Sequence, residues 1–129
     1  MKEVLIDTSV WIDFLNGIKN RQSETMAKAL EQDTEVFICP PVIQEVLQGI
    51  RDDNEHDNLK DKLFSLNILS IDSLDAALGA SELYRILRKK GVSIRKTNDT
   101  LIAYYCIYYI VDYYDFLIMY YNQTKTFHQ

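Results

Sequence analysis

Val4-Leu5-Ile6-Asp7-Thr8-Ser9-Val10-Trp11-Ile12-Asp13-Phe14-Leu15, near the start of the chain, decides how it folds. Three consecutive apolar residues followed by a cluster of helix-capping residues read as a short buried strand that turns directly into a helix. That helix runs over Val10–Leu15 and stops at Asn16-Gly17, where glycine supplies the left-handed closing residue. The same rhythm recurs along the chain. A second helix is expected from about Gln22 to Gln32, a second strand over Val36–Cys39, and a third helix opened by Pro40-Pro41. Leu66–Ile71 is the third strand candidate, and Asp72 or Ser73 caps a long helix ending at Gly91. Thr97-Asn98-Asp99 caps another, and Phe116–Tyr120 is expected as the fourth strand. The acid-rich residues 52–61 read as a solvated loop and helix start. Short, continuously apolar strands alternating with helices specify an α/β fold with a parallel sheet covered on both faces. No repeat or linker divides residues 1–129, so one domain is expected.

A chain of 129 residues, 47% hydrophobic, hides about two thirds of its unfolded surface and folds without disulfides. Cys39 and Cys106 sit in apolar and aromatic runs, where a free thiol behaves as a small hydrophobe, which implies a reducing, cytoplasmic compartment. No stretch approaches the ~18 consecutive apolar residues of a membrane span, so no membrane partner is expected. Lys+Arg 14 against Asp+Glu 19 gives a net charge of −5, which argues against a uniformly basic nucleic-acid coat protein and leaves room for a local basic patch.

In parallel α/β sheets the ligand site lies beyond the carboxyl ends of the strands, and Asp7 stands at that end of the first one. The third helix carries Val42, Ile43, Val46, Leu47 and Ile50 on one stripe, with Glu45 on its flank. Asp99 opens the last helix. If the three acids converge, two charges ~4 Å apart repel by about 4 kcal/mol, so the cluster calls for a proton or a cation. All-oxygen donors select a hard ion, Mg²⁺ or Mn²⁺. Such a site suits phosphodiester hydrolysis, in which the ion polarises the phosphoryl oxygen and acidifies the attacking water. Each acid also has a structural role open to it: Asp7-Thr8-Ser9 as an N-cap, Glu45 as an exposed helix residue, Asp99 as a partner of the helix dipole.

Residues 5–15, Pro40-Pro41-Val42-Ile43-Gln44-Glu45-Val46-Leu47-Gln48-Gly49 and Ile94-Arg95-Lys96-Thr97-Asn98-Asp99-Thr100-Leu101-Ile102-Ala103 resemble, in order, the three leading motifs of PIN-domain ribonucleases of the VapC toxin type. The resemblance implies a three-layer α/β/α domain with a central parallel sheet of four or five strands. It further implies an endoribonuclease dependent on Mg²⁺ or Mn²⁺ that cuts tRNA or another structured RNA, held inactive by a cognate antitoxin and forming a homodimer. On that basis Asp7, Glu45 and Asp99 are carried over as catalytic metal ligands, supported by Thr8, Ser9 and Asn98. The implied alternative is a catalytically weakened module that binds antitoxin or RNA.

The departure lies at the C-terminus. Aligned on Phe127, the Asn-Asp-x-Asp-Phe segment typical of the family is replaced, and Thr124 and Thr126 stand where its aspartates would be. Asn122 and Thr124 offer only neutral oxygens, weaker ligands for a hard cation. Asp112 and Asp115 precede the expected fourth strand, whose five residues at ~3.3 Å each would put Asp115 about 16 Å away at the opposite sheet edge. Eight of the nine tyrosines fall in residues 104–121, in adjacent pairs suited to a core and a dimer interface. Arg85, Arg88, Lys89, Lys90, Arg95 and Lys96 form the one dense positive stretch. The first four suit a helix C-terminus, while Arg85, Arg88, Lys89, Arg95 and Lys96 are also candidate RNA-phosphate contacts. An aspartyl-phosphate phosphatase would share an aspartate after the first strand, but needs a second where Ser9 stands.

Overall fold

A computed structural model of the chain describes residues 3–32, 35–94 and 96–109 and the backbone of 112–114. Strand β1 (Glu3–Ile6) leads through α1 (Thr8–Leu15) and α2 (Arg21–Glu31) to β2 (Glu35–Ile38). Helices α3 (Pro40–Gln48) and α4 (Asp53–Phe64) lead to β3 (Asn67–Ile68), and α5 (Ser73–Lys89) and α6 (Thr97–Tyr109) lead to β4 (Asp112–Tyr114). Each strand is thus joined to the next by a pair of helices. The four strands pair in the order β3-β2-β1-β4, all parallel.

That order reverses beside β1: the chain winds outward through β2 and β3, then crosses back to lay β4 on the other side of β1. Carboxyl ends at such a switch point open a crevice for ligands. Register fixes what lies there, because Ile6 pairs with Tyr114 and the next residue of the chain after β1 is Asp7.

Consecutive strand residues point to opposite faces of a sheet. Val4, Leu5 and Ile6 are each at most 1% exposed, so both faces of β1 are covered. The core continues through Ile38, Val42, Val46, Leu63, Leu87 and Ile102. Local signals set the helix ends as expected. Gly17 and Gly91 adopt positive φ, 71° and 81°, immediately after the C-cap residues Asn16 of α1 and Lys90 of α5. The Asp72 carboxylate accepts from the Asp75 N–H at 3.3 Å and caps α5. Between α5 and α6, Gly79 makes room for an aromatic ring, since a Cβ there would collide with the ring of Tyr104.

Three expectations change. The acid-rich stretch is the start of a full helix, Asp53–Phe64, because Asp52 caps it by accepting from the Glu55 N–H at 2.9 Å. The third strand shrinks to two residues at the sheet edge, with the Leu69 N–H reaching Ile38 O at 2.8 Å just beyond them. The strand beside β1 is Asp112–Tyr114, whereas the expected one over 116–120 lies outside the described residues. Asp112 pairs with Val4, three residues short of Asp7, which keeps it from the carboxyl ends. Asp115, and with it the separation argued for it, lies outside the described residues. Among the described residues no helix is long and apolar enough to cross a membrane.

Candidate active site

The strand-to-helix turn after β1 builds the site. Asp7 is the N-cap of α1, in extended conformation, and is 5% exposed. Its Oδ2 accepts from the Ser9 backbone N–H at 3.2 Å and from the Ser9 hydroxyl at 2.9 Å. One carboxylate oxygen is therefore clamped by the first turn of the helix it caps, and capping and a functional orientation are served by the same geometry. Thr8, also buried, donates its hydroxyl to Oε1 of Glu45 at 3.1 Å. Glu45 reaches this turn from the flank of α3, half-buried, while Val42 and Val46 of the same helix are in the core.

Cys39, the N-cap residue of α3, has a thiol pushed up to about 12, chiefly by burial. The charges of Asp7 and Glu45 raise it further, and the Val42 backbone amide works in the opposite direction. Both carboxylates thus act on one buried thiol from two separate segments. Burial favours the protonated thiol at neutral pH.

Asp99 lies in the first turn of α6, half-buried, its N–H donating to Lys96 O at 3.1 Å. Helix α6 packs on both α3 and α5. Tyr105, two turns further along, is raised in pKa by burial first and by Cys39 second, so the middle of α6 lies beside the start of α3. The structure therefore joins Asp7 to Ser9 and Thr8 to Glu45 by hydrogen bonds at one turn and sets Asp99 on the neighbouring helix. Among the described residues no three His, Cys, Asp or Glu side chains stand close enough together to form a metal site. By type alone, carboxylate oxygens are the donors a hard divalent cation takes: Asp7 caps α1, Glu45 of α3 accepts from Thr8 of that turn, and Asp99 stands on α6.

Asn98, Lys89 and Lys96 are exposed, as are Arg85 and Arg88, whereas Arg95, Asn122 and Thr124 lie outside the described residues. Sequence reasoning missed Tyr84, which carries the Arg88 guanidinium 5.7 Å from its ring centroid and lines a cavity with Arg85, Arg88, Thr97 and Asn98. The i, i+4 spacing of Tyr84 and Arg88 on one helix was the available signal.

The fold is an α/β domain with a parallel sheet whose switch point lies beside β1, where Asp7 follows the strand. The PIN domain profile matches residues 4–112. Ribonuclease VapC11 of Mycobacterium tuberculosis and VapC ribonuclease Mb1587 of Mycobacterium bovis are each 32% identical to the chain over 101 residues, covering 78% of it and 75% of their own length. Among solved structures, VapBC2 from Rickettsia felis, bound to a DNA fragment from its promoter, superposes with a TM-score of 0.64 at 18% identity. That alignment covers 85% of this chain and 84% of the other, a likeness of fold. The chain belongs to the PIN domain family.

Proposed function

We propose that the chain is a metal-dependent endoribonuclease toxin that hydrolyses phosphodiester bonds of tRNA or another structured RNA. The Thr8–Glu45 bond carries the reading, because it draws a carboxylate from α3 to the turn that holds Asp7 at the switch point. Similarity to VapC ribonucleases supports the substrate class. Asp7, Glu45 and Asp99 are the residues to hold Mg²⁺ or Mn²⁺. When bound, such an ion polarises the phosphoryl oxygen and lowers the pKa of an attacking water. The protein's own part is orientation: Ser9 fixes Asp7 and Thr8 fixes Glu45. Arg85, Arg88, Lys89, Arg95 and Lys96 are the residues to hold RNA phosphates, offsetting the field of the acids.

A cognate antitoxin is the expected inhibitor, covering the acidic site with a basic side chain. The likeness to a VapBC complex supports this partner. A homodimer through a helical face is supported by Leu74 and Leu78, one turn apart on α5 and 65% and 59% exposed. Action on tRNA would take place in the cytoplasm, consistent with the two buried free cysteines.

A second reading, a weakened module that binds without efficient cleavage, is favoured by one observation: the family match ends at residue 112, before the segment in which Thr124 and Thr126 replace acids. Incubating purified protein with mixed tRNA and ribosomal RNA in Mg²⁺, Mn²⁺ or EDTA separates the two. Metal-dependent fragments establish the ribonuclease. A folded protein that binds RNA and leaves it intact in both metals establishes the weakened module.

A further inference from the structure

We propose that the cleft between α5 and the first turn of α6 is a subsite for one nucleotide of the RNA, with Arg85 and Arg88 on a phosphate and Tyr84 stacked on a base. The inference deepens the ribonuclease reading and rests on it. Ser81, Tyr84, Arg85 and Arg88 recur at i, i+3, i+4 and i+7, so they share one face of α5. That face and Thr97 and Asn98 of α6 line a cavity of about 610 Å³, within the range that holds a small ligand.

Two features make the cleft more than a helix end. Its charged lining residues, among those described, are the two arginines, in a chain of net charge −5. Neither arginine makes a salt bridge or a side-chain hydrogen bond among the described residues. Lys89 and Lys90, which serve the α5 dipole equally well, are not part of the lining. Arg88 lies over the Tyr84 ring at 5.7 Å, which holds the guanidinium at the cavity wall beside an aromatic surface. Cation, ring and hydroxyl together match a nucleotide, which presents an anion, a base face and a sugar. Location supports the same occupant: Asn98 and Thr100 line the cavity and flank Asp99 in sequence, so the subsite adjoins the turn that bears the third acid.

The test is binding of a labelled single-stranded oligoribonucleotide across a salt series, with the Asp7→Asn protein in EDTA so that the strand stays intact. Replacing both arginines with alanine is expected to weaken binding about tenfold or more and to reduce the salt slope by about 0.7 for each phosphate no longer neutralised. Tyr84→Leu is expected to weaken it several-fold with the slope unchanged, and Tyr84→Phe to restore it, because stacking releases no counterions. Lys28→Ala on α2, away from the cleft, is the control. Arginine and tyrosine variants indistinguishable from that control overturn the subsite; if the wild-type protein still cleaves RNA, the ribonuclease reading survives. A protein that neither binds nor cleaves RNA overturns both.

Discussion

The Thr8 hydroxyl donates to Oε1 of Glu45 at 3.1 Å across 37 residues of sequence. This one bond ties the turn after β1 to α3 and decides where the second carboxylate points. A hydrogen bond to a charged group contributes about 1.5–3 kcal/mol. Thr8→Val, which keeps the shape and removes the donor, is therefore expected to lower kcat by one to two orders of magnitude, whereas Thr8→Ser keeps it. RNA cleavage rates at saturating metal check this, with thermal unfolding to show that both variants fold.

Asp7 has two duties that substitutions can separate. Asparagine caps a helix about as well as aspartate, while alanine forfeits about 1 kcal/mol. Asp7→Asn is expected to abolish cleavage with Tm retained, and Asp7→Ala to lose cleavage and several degrees of Tm together. An Asp7→Asn protein that remains active would reduce Asp7 to a cap.

At Gly79 helix propensity and packing oppose each other. Alanine in a helix interior is ordinarily better than glycine by about 1 kcal/mol. Here its Cβ would collide with the Tyr104 ring, and overpacking of this kind costs about 1–3 kcal/mol. Gly79→Ala is expected to destabilise the protein. Adding Tyr104→Ala should then cost less than it does alone, a coupling that denaturant titration of the four proteins measures directly.

Burial of Cys39 carries an alkaline signature. Its folded pKa, about 12, lies above the ordinary thiol value of 9.0, so the folded state holds the proton more tightly. The contribution is fully present below pH 9 and is lost as pH rises from 9 towards 12, by at most about 1.4 kcal/mol per pH unit. Cys39→Ala is expected to flatten the fall in stability over that window relative to wild type. The native thiol should also resist alkylation at pH 8 and react only on unfolding.

Local signals carried most of the fold. Val4-Leu5-Ile6, Asn16-Gly17, Pro40-Pro41 and Asp72-Ser73 each state their conformation within a few residues, and the structure follows them. Strand order and register are non-local, and the sequence carries no local marker for either. Paired tyrosines over 104–121 suit helix, strand and core alike, so nothing in them marked Asp112–Tyr114 as the strand beside β1. Asp7 was legible from its place after an apolar run. The bond from Thr8 to Glu45 was not, since it depends on how α3 sits, and the i, i+4 spacing of Tyr84 and Arg88 allowed their contact without fixing the rotamers that make it.

If Asp7, Glu45 and Asp99 act as one metal-dependent site, removing any one of them, or the ion, must stop the reaction. The RNA cleavage rate settles this for the wild-type protein, Asp7→Asn, Glu45→Gln and Asp99→Asn in Mn²⁺, each measured again after EDTA. Cleavage is expected from wild type alone, abolished by EDTA, with each substitution costing at least a hundredfold. Full activity in the Asp99→Asn protein, or cleavage that survives EDTA, would contradict a shared site.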